Sequence, residues 1–476
     1  MNYENRLFAI EQINLLEQKF PVDIWEINGI HVWPLFKKQI YFLLHEDKFS
    51  SINNNKNRSK YKKIKSIGNK ILSFLIAKKM QFNLKIDKTP IVFSGASSHK
   101  VLYENEFINR YFKPINNYLS ENNISFLNLS YSTSSQSKGG EIPIDVLLSL
   151  FKHEDIQISK IENLPHFSEF TEAVVNLFKF DKELFLTTLF NNLKTVSRWK
   201  KLYIFIFKKT KPKASFGLCY YSSAMFGMNL AANELGIKSI DMQHGAQGKL
   251  HPAYHYAKIS SKGYNSLPNE FWCWDESSRL LNLEWTRGTR HQVKLSGNPW
   301  LYYVNKIGKN PYIPKKKPII LFTHQPINPP IDPYLVDAIK ATCDDFLWMI
   351  RLHPRISSQD KSEMVTILKA ERILDKIDFK FANDLALPFI LKHAAIHISK
   401  FSGAIIEGVS LDVPTIILEE IGISTFANLL KPGRVIGIEF PSKDIILNTI
   451  TQITDKNQKR MNEFPDFIHL IDELVS

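Results

Sequence analysis

From Thr89 to about residue 450 the chain alternates short, almost wholly apolar runs with longer stretches of helical character. A chain written that way is confined to parallel strands covered by helices. The pattern predicts strands at 90–95 and 124–129, then a helical block over 144–201. Strand 214–221, helix 222–235 and strand 238–242 follow, with a strand at 270–274, a helix at 276–285 and a strand at 292–297. The first series ends near Asn298-Pro299-Trp300. A linker over 306–317, rich in Lys, Pro and Asn, precedes a second series: strands at 318–323, 346–352, 395–399 and 415–418, a short strand at Phe379, and helices at 334–343, 361–368, 386–393 and 403–410. The expectation is an α/β chain of two tandem Rossmann-like domains with a crevice between the carboxyl ends of their sheets. The boundaries read as a helical, basic extension over 1–88, a first domain over 89–305, the linker, a second domain over 318–453 and a C-terminal helix over 454–476.

Charge narrows the partners. Lys and Arg number 61 against 47 Asp and Glu, a formal +14, which suits an anionic surface or substrate. The three cysteines, Cys219, Cys273 and Cys343, stand far apart, so neither a disulfide framework nor a cysteine zinc site is expected. No apolar run approaches the roughly 18 residues of a membrane-spanning helix, and the N-terminus lacks a signal-peptide pattern. The expected location is the cytoplasm, at the inner face of the cytoplasmic membrane. Residues 56–79 carry nine Lys or Arg interleaved with apolar residues. They form either a helix lying on an anionic membrane or a surface helix whose lysines extend over its own domain.

Candidate chemistry gathers at the ends of expected strands. In Ser399-Lys400-Phe401-Ser402-Gly403 a strand passes directly into a helix. Backbone N–H groups there suit a phosphate, with Glu407 one turn on able to meet a ribose; the alternative is an ordinary capped turn. Arg351-Leu352-His353-Pro354 and Thr323-His324-Gln325 end neighbouring strands and extend the same polar cluster. In the first series Gln243-His244-Gly245 also follows a strand and suits sugar hydroxyls or a phosphate. His244, His251 and His255 have poor spacing for zinc, and no metal is expected. For a general base, Glu104 and Glu106, in the loop and helix after the strand that ends at Gly95, compete with His244. No G-x-G-x-x-G, P-loop or G-x-S-x-G motif occurs.

Together, Gln243-His244-Gly245, Gly297-Asn298-Pro299, Arg351-Leu352-His353-Pro354 and Ser399 through Glu407 with Asp412-Val413-Pro414-Thr415 resemble bacterial capsule and surface polysaccharide glycosyltransferases of the GT-B fold. The His-Pro pair is similar to that of sialyltransferases, Kdo transferases and teichoic-acid glycerophosphotransferases, where it contacts the phosphate of a cytidine nucleotide donor. The resemblance implies His353 on the donor phosphate, Ser399, Ser402 and Gly403 lining it, and Glu407 at the ribose. The acid-acid-glycine motif that supplies the base in polysialyltransferases has no counterpart; the nearest acids are Glu104-Asn105-Glu106. The function expected is metal-independent transfer of a sugar from a nucleotide-activated donor, CMP-linked on the His-Pro resemblance, to a growing capsule, O-antigen or lipopolysaccharide glycan, with no other cofactor. A CDP-alditol phosphotransferase and a sugar-nucleotide epimerase are the alternatives on this fold. A nucleic-acid partner is not expected, because no recognition motif accompanies the basic charge.

Overall fold

The structure is a computed structural model; it describes residues 3–44, 74–81, 86–104, 106–132, 140–152, 154, 156–306, 317–325, 329–354, 356–454 and 465–476. Most of the basic segment 56–79 and most of the 306–317 linker lie outside the described residues. The chain divides into two compact units, one of Met1–Gln243, Gln247–Ser296 and Phe467–Ser476, the other of His244–Ala246 and Gly297–Asp466.

The first unit opens with two strand pairs and a central sheet. The pairs are β1 (Glu26–Ile27) with β2 (Ile30–His31), and β4 (Lys100–Tyr103) with β5 (Glu106–Asn109). The sheet contains β3 (Ile91–Ala96), β6 (Phe126–Ser132), β7 (Ile142–Pro143), β8 (Ala214–Gly217), β9 (Lys238–Met242), β10 (Glu270–Cys273) and β11 (Gln292–Leu295). Its order is β11-β10-β9-β8-β3-β6-β7, and every pairing is parallel. The chain enters in the middle at β3, moves outward to β7, returns at β8 and moves outward the other way. The order in which strands are added thus reverses between β3 and β8.

The second unit repeats the scheme with β12 (Ile319–Thr323), β13 (Leu347–Arg351), β14 (Ile377–Asp378), β15 (Ala394–Ser399), β16 (Thr415–Leu418) and β17 (Val435–Ile438). The order is β14-β13-β12-β15-β16-β17, again wholly parallel, with the reversal between β12 and β15. Apolar strands such as Ile319–Thr323 are buried along their whole length, because helices cover both faces of a sheet wound this way. Two tandem Rossmann-like units with a helical N-terminal segment are therefore the architecture that the alternating pattern pointed to.

Several expected boundaries move. The N-terminal residues are not a separate extension. Trp25, Trp33 and Phe36 share one core with Phe167, Phe170, Tyr254 and Phe271 of the first unit. Glu17 locks this join: its carboxylate accepts from Trp33 Nε1 (2.6 Å), Lys37 Nζ (2.8 Å) and the Ala257 amide (2.8 Å), all buried or part-buried. Lys37 also donates to the His255 carbonyl (2.7 Å). The first unit ends at Ser296 rather than 305, and the last helix, Ile468–Val475, returns to it, with Tyr118 donating to Asp472 (2.6 Å). Gly297 marks the boundary for a steric reason. Its φ is +68°, and a Cβ there would lie 1.7 Å from the Pro465 carbonyl oxygen, so only glycine fits.

Candidate functional site

In an open parallel sheet, ligands bind beyond the carboxyl ends of the strands where strand order reverses. In the second unit that point lies between β12 and β15, and the expected site residues stand on those strand ends: Thr323-His324-Gln325 after β12, Arg351 to Pro354 after β13, and Ser399 to Gly403 after β15. Parallel pairing sets Thr323 opposite both Arg351 and Ser399. The sequence clusters therefore converge, but their side chains divide into two kinds.

One kind is engaged inside the protein. Thr323 and Ser399, both buried, hydrogen-bond each other: Thr323 Oγ1 donates to Ser399 Oγ (2.8 Å), which donates back to the Thr323 carbonyl (3.0 Å). His397 completes the chain, its Nε2 lying 2.9 Å from Thr323 Oγ1. Since that hydroxyl donates onward, Nε2 carries the proton and the ring is neutral. Burial agrees, holding the His397 pKa down to about 3. Gly408 makes room for the ring, because a Cβ there would lie 2.8 Å from Nδ1. The sequence did not single out His397, which looks like one more strand residue until its register beside Thr323 is known.

Arg351 and Lys400 were expected on phosphate, and both instead have protein partners. Arg351 Nη1 donates to the carbonyls of Ala382 and Leu385, each at 2.7 Å, closing the end of the helix Lys380–Asp384. Lys400 is buried, with Asp332 Oδ2 at 2.8 Å and Glu419 Oε1 at 2.6 Å. Tyr334 also donates to that Glu419 oxygen (2.9 Å).

The other kind lies at the mouth of the switch point. His353, Ser402 and Gly403 are half-buried, Gln325 and Glu407 are buried, and Pro354 is exposed. The Ser402 hydroxyl accepts from the amide of Ala404 (3.2 Å), the first residue of the helix Ala404–Ser410, whose N-cap is Gly403 rather than Ser402. His324 is buried. Burial holds its pKa down to about 4, the positive charges of His353 and Lys400 add to this, and the Pro330 carbonyl and Asp360 oppose it. His324 and His353 are therefore close enough to feel each other's charge. His244 and Gly245 belong to this unit too. A Cβ on Gly403 would lie 3.4 Å from the Gly245 Cα, so two glycine turns far apart in sequence meet backbone to backbone.

In the first unit, Gln243 is not available to a sugar as expected. It is fully buried, with its Oε1 accepting from the Trp274 amide (2.7 Å) and its Nε2 donating to Ser278 Oγ (2.9 Å). Glu104 stands exposed between β4 and β5 with φ +48°, at a hairpin tip rather than in a helix. Sequence reasoning also passed over Asp241. Its carboxylate is buried, accepts from Tyr254 OH (2.7 Å) and the Tyr220 amide (3.0 Å), and is pushed up to about 7 by burial. Nearby, Cys219 Sγ lies 3.6 Å from His99 Nε2. The His99 Nδ1 accepts from the Ala96 amide (3.2 Å), so Nε2 bears the proton. Burial, then Asp241, raises the Cys219 thiol to about 12, which leaves it protonated and poorly nucleophilic. Among the described residues no group of three or more His, Cys, Asp or Glu is placed to hold a metal ion.

No family model matches the chain, and no curated protein does. Solved structures with similar architecture exist. One is the UDP-GlcNAc 2-epimerase of Neisseria meningitidis bound to UDP-GlcNAc, at 12% identity and TM-score 0.48, over 81% of this chain and 99% of that one. Another is the Methanocaldococcus jannaschii UDP-GlcNAc 2-epimerase in complex with UDP-GlcNAc and UDP, at 13% identity and TM-score 0.47 over the same shares. The calicheamicin glycosyltransferase CalG4 is similar at 8% identity and TM-score 0.43, over 77% of this chain and 90% of that one. At such identities these likenesses transfer no substrate to this chain.

Proposed function

We propose that the chain is a glycosyltransferase whose nucleotide-activated sugar donor binds at the β12/β15 switch point of the second unit. The observation that carries this reading is the convergence there of His353, Ser402, Gly403 and Glu407 with the turn at His244 and Gly245. Arg351, Lys400, Thr323 and Ser399 hold that place rigid from behind. In the proposed reaction an acceptor hydroxyl attacks the anomeric carbon and the bond from that carbon to the phosphate oxygen breaks, its electron pair leaving with the nucleotide. His353 and the Ser402–Gly403 turn stabilise the departing phosphate. His244, which shares a compact unit with that turn, takes the hydroxyl proton in preference to Glu104. A growing surface glycan at the inner membrane face remains the proposed acceptor. Phe74, Leu75 and Ile76, exposed on the short helix over 74–81, support a membrane contact.

The test is calorimetric titration of CMP, CDP, UDP and GDP into wild type, His353→Ala and Glu407→Ala. One nucleotide should bind, and each substitution should weaken it at least tenfold without lowering the melting temperature by more than a few degrees. Absence of binding by all four removes the reading. Product analysis separates the alternatives: an epimerase converts its sugar nucleotide with no acceptor present, and a phosphotransferase releases CMP from a CDP-alditol.

A further inference from the structure

The exposed helix over 74–81 does not stand alone. Its Ala77 is fully buried, and its Met80 packs on the core cluster that holds Leu202, Tyr203 and Ile206 of the helix Lys182–Thr210. Phe74, Leu75 and Ile76 nevertheless stay 42%, 57% and 50% exposed. Three consecutive large apolar side chains held against water form a patch, which on a folded protein marks an interaction site. An open groove of about 420 Å³ joins the two helices, lined by Lys78 and Gln81 from one and by Phe205 and Lys209 from the other.

The chain around that groove is basic. Thr89 donates its amide to the Thr210 carbonyl (2.9 Å), which brings Lys88 beside the end of the long helix. The stretches 74–81, 86–90 and 205–213 together hold seven Lys and one acid, Asp87. Lys213 donates to the Val475 carbonyl. The other six, Lys78, Lys79, Lys88, Lys208, Lys209 and Lys211, are exposed, and none meets a carboxylate among the described residues. Lys78 and Lys209 lie over the rings of Phe74 and Phe205, with Nζ 5.8 and 4.9 Å from the centroids, so cationic and apolar groups share one surface. The chain just before the short helix, 56–73, carries seven Lys or Arg and no acid, so the sign is not neutralised along the sequence. This surface is at the amino ends of β3 and β8, which begin just after Lys88 and Lys213, away from the carboxyl edge of the sheet.

Cations alone suit any polyanion. A nucleic acid offers phosphates but no hydrocarbon to cover Leu75 and Ile76, whereas a bilayer presents phosphates directly above its acyl chains and takes both. We infer that the helix over 74–81 and the carboxyl end of the helix Lys182–Thr210 form one docking face for an anionic lipid bilayer. Phe74, Leu75 and Ile76 enter the acyl boundary, and the lysines meet lipid phosphates. The face locates the membrane contact proposed for the transferase without resting on the nucleotide reading. The test is co-sedimentation of the full-length protein with vesicles of phosphatidylcholine and of an equal mixture with phosphatidylglycerol. A lysine near an anionic surface contributes a factor of about five, so wild type should partition at least tenfold more onto the mixed vesicles. Lys78→Glu combined with Lys209→Glu, and separately Leu75→Asp, should each lower that partition at least tenfold. All three positions are exposed, so the melting temperature should stay that of wild type. Each variant tests the face by itself, so misfolding of one leaves the other decisive. Equal partition onto both vesicles, undiminished partition in a folded variant, or a wild type that binds duplex DNA and ignores vesicles would each overturn the inference. Nucleotide titration of both variants should match wild type. Vesicle binding by a wild type that takes up no nucleotide would sink the donor-site proposal and leave this one standing.

Discussion

Lys400 and His353 show how residues that look equally functional separate once their surroundings are known. Both follow strands at the same switch point, and both are cationic or can become so. Lys400 is enclosed by Asp332 and Glu419, whereas His353 is half-buried at the mouth. Removing one partner of a buried ion pair typically costs about 3–5 kcal/mol, because the other charges stay buried without compensation. Lys400→Ala should therefore lower the urea-unfolding free energy by roughly that amount and lose activity through folding. His353→Ala should leave the unfolding midpoint nearly unchanged. Equal midpoints for the two variants would contradict this division of roles.

Strands and their ends carry the pH dependence. His397 on β15, His324 after β12 and His291 before β11 are buried, and burial holds them down to about 3, 4 and 4, against 6.5 for a free histidine. Each stays neutral when folded and takes up a proton only on unfolding, so stability falls as pH drops below about 6.5. The slope per group is at most about 1.4 kcal/mol per pH unit. Asp241 on β9 acts in the opposite sense. Its folded pKa is raised from 3.8 to about 7, so the folded state holds a proton that the unfolded chain releases, and its contribution weakens as pH rises through that window. Unfolding titrations from pH 8 to 4.5 should therefore show a net loss of stability toward acid. Asp241→Asn should stabilise the protein at pH 8 and steepen the acid loss, because it removes the opposing term. A flatter profile in that variant would show that Asp241 is already ionised in the fold.

For the whole chain, the C-terminal residues close the unit that the N-terminal residues open. Phe467, Leu470, Ile471 and Leu474 are buried in the first unit, Tyr118 meets Asp472, and Lys213 donates to the Val475 carbonyl (2.8 Å). Deleting residues 467–476 should lower the melting temperature and increase hydrogen exchange in the helix Lys113–Glu121, where Tyr118 sits; unchanged exchange there would make the tail dispensable. By itself the sequence determined the α/β class, the two sheets and the strand ends at which polar residues collect, because continuous apolar runs and Gly- or Ser-bearing turns are local signals. Only the tertiary structure decided which of the collected residues face outward. Thr323, Arg351, Ser399 and Lys400 read as ligands in sequence, yet each finds a partner on a different element, through register and burial that no local pattern encodes. Asp241 and His397 went unnoticed because their character is set by desolvation and by neighbours remote in sequence.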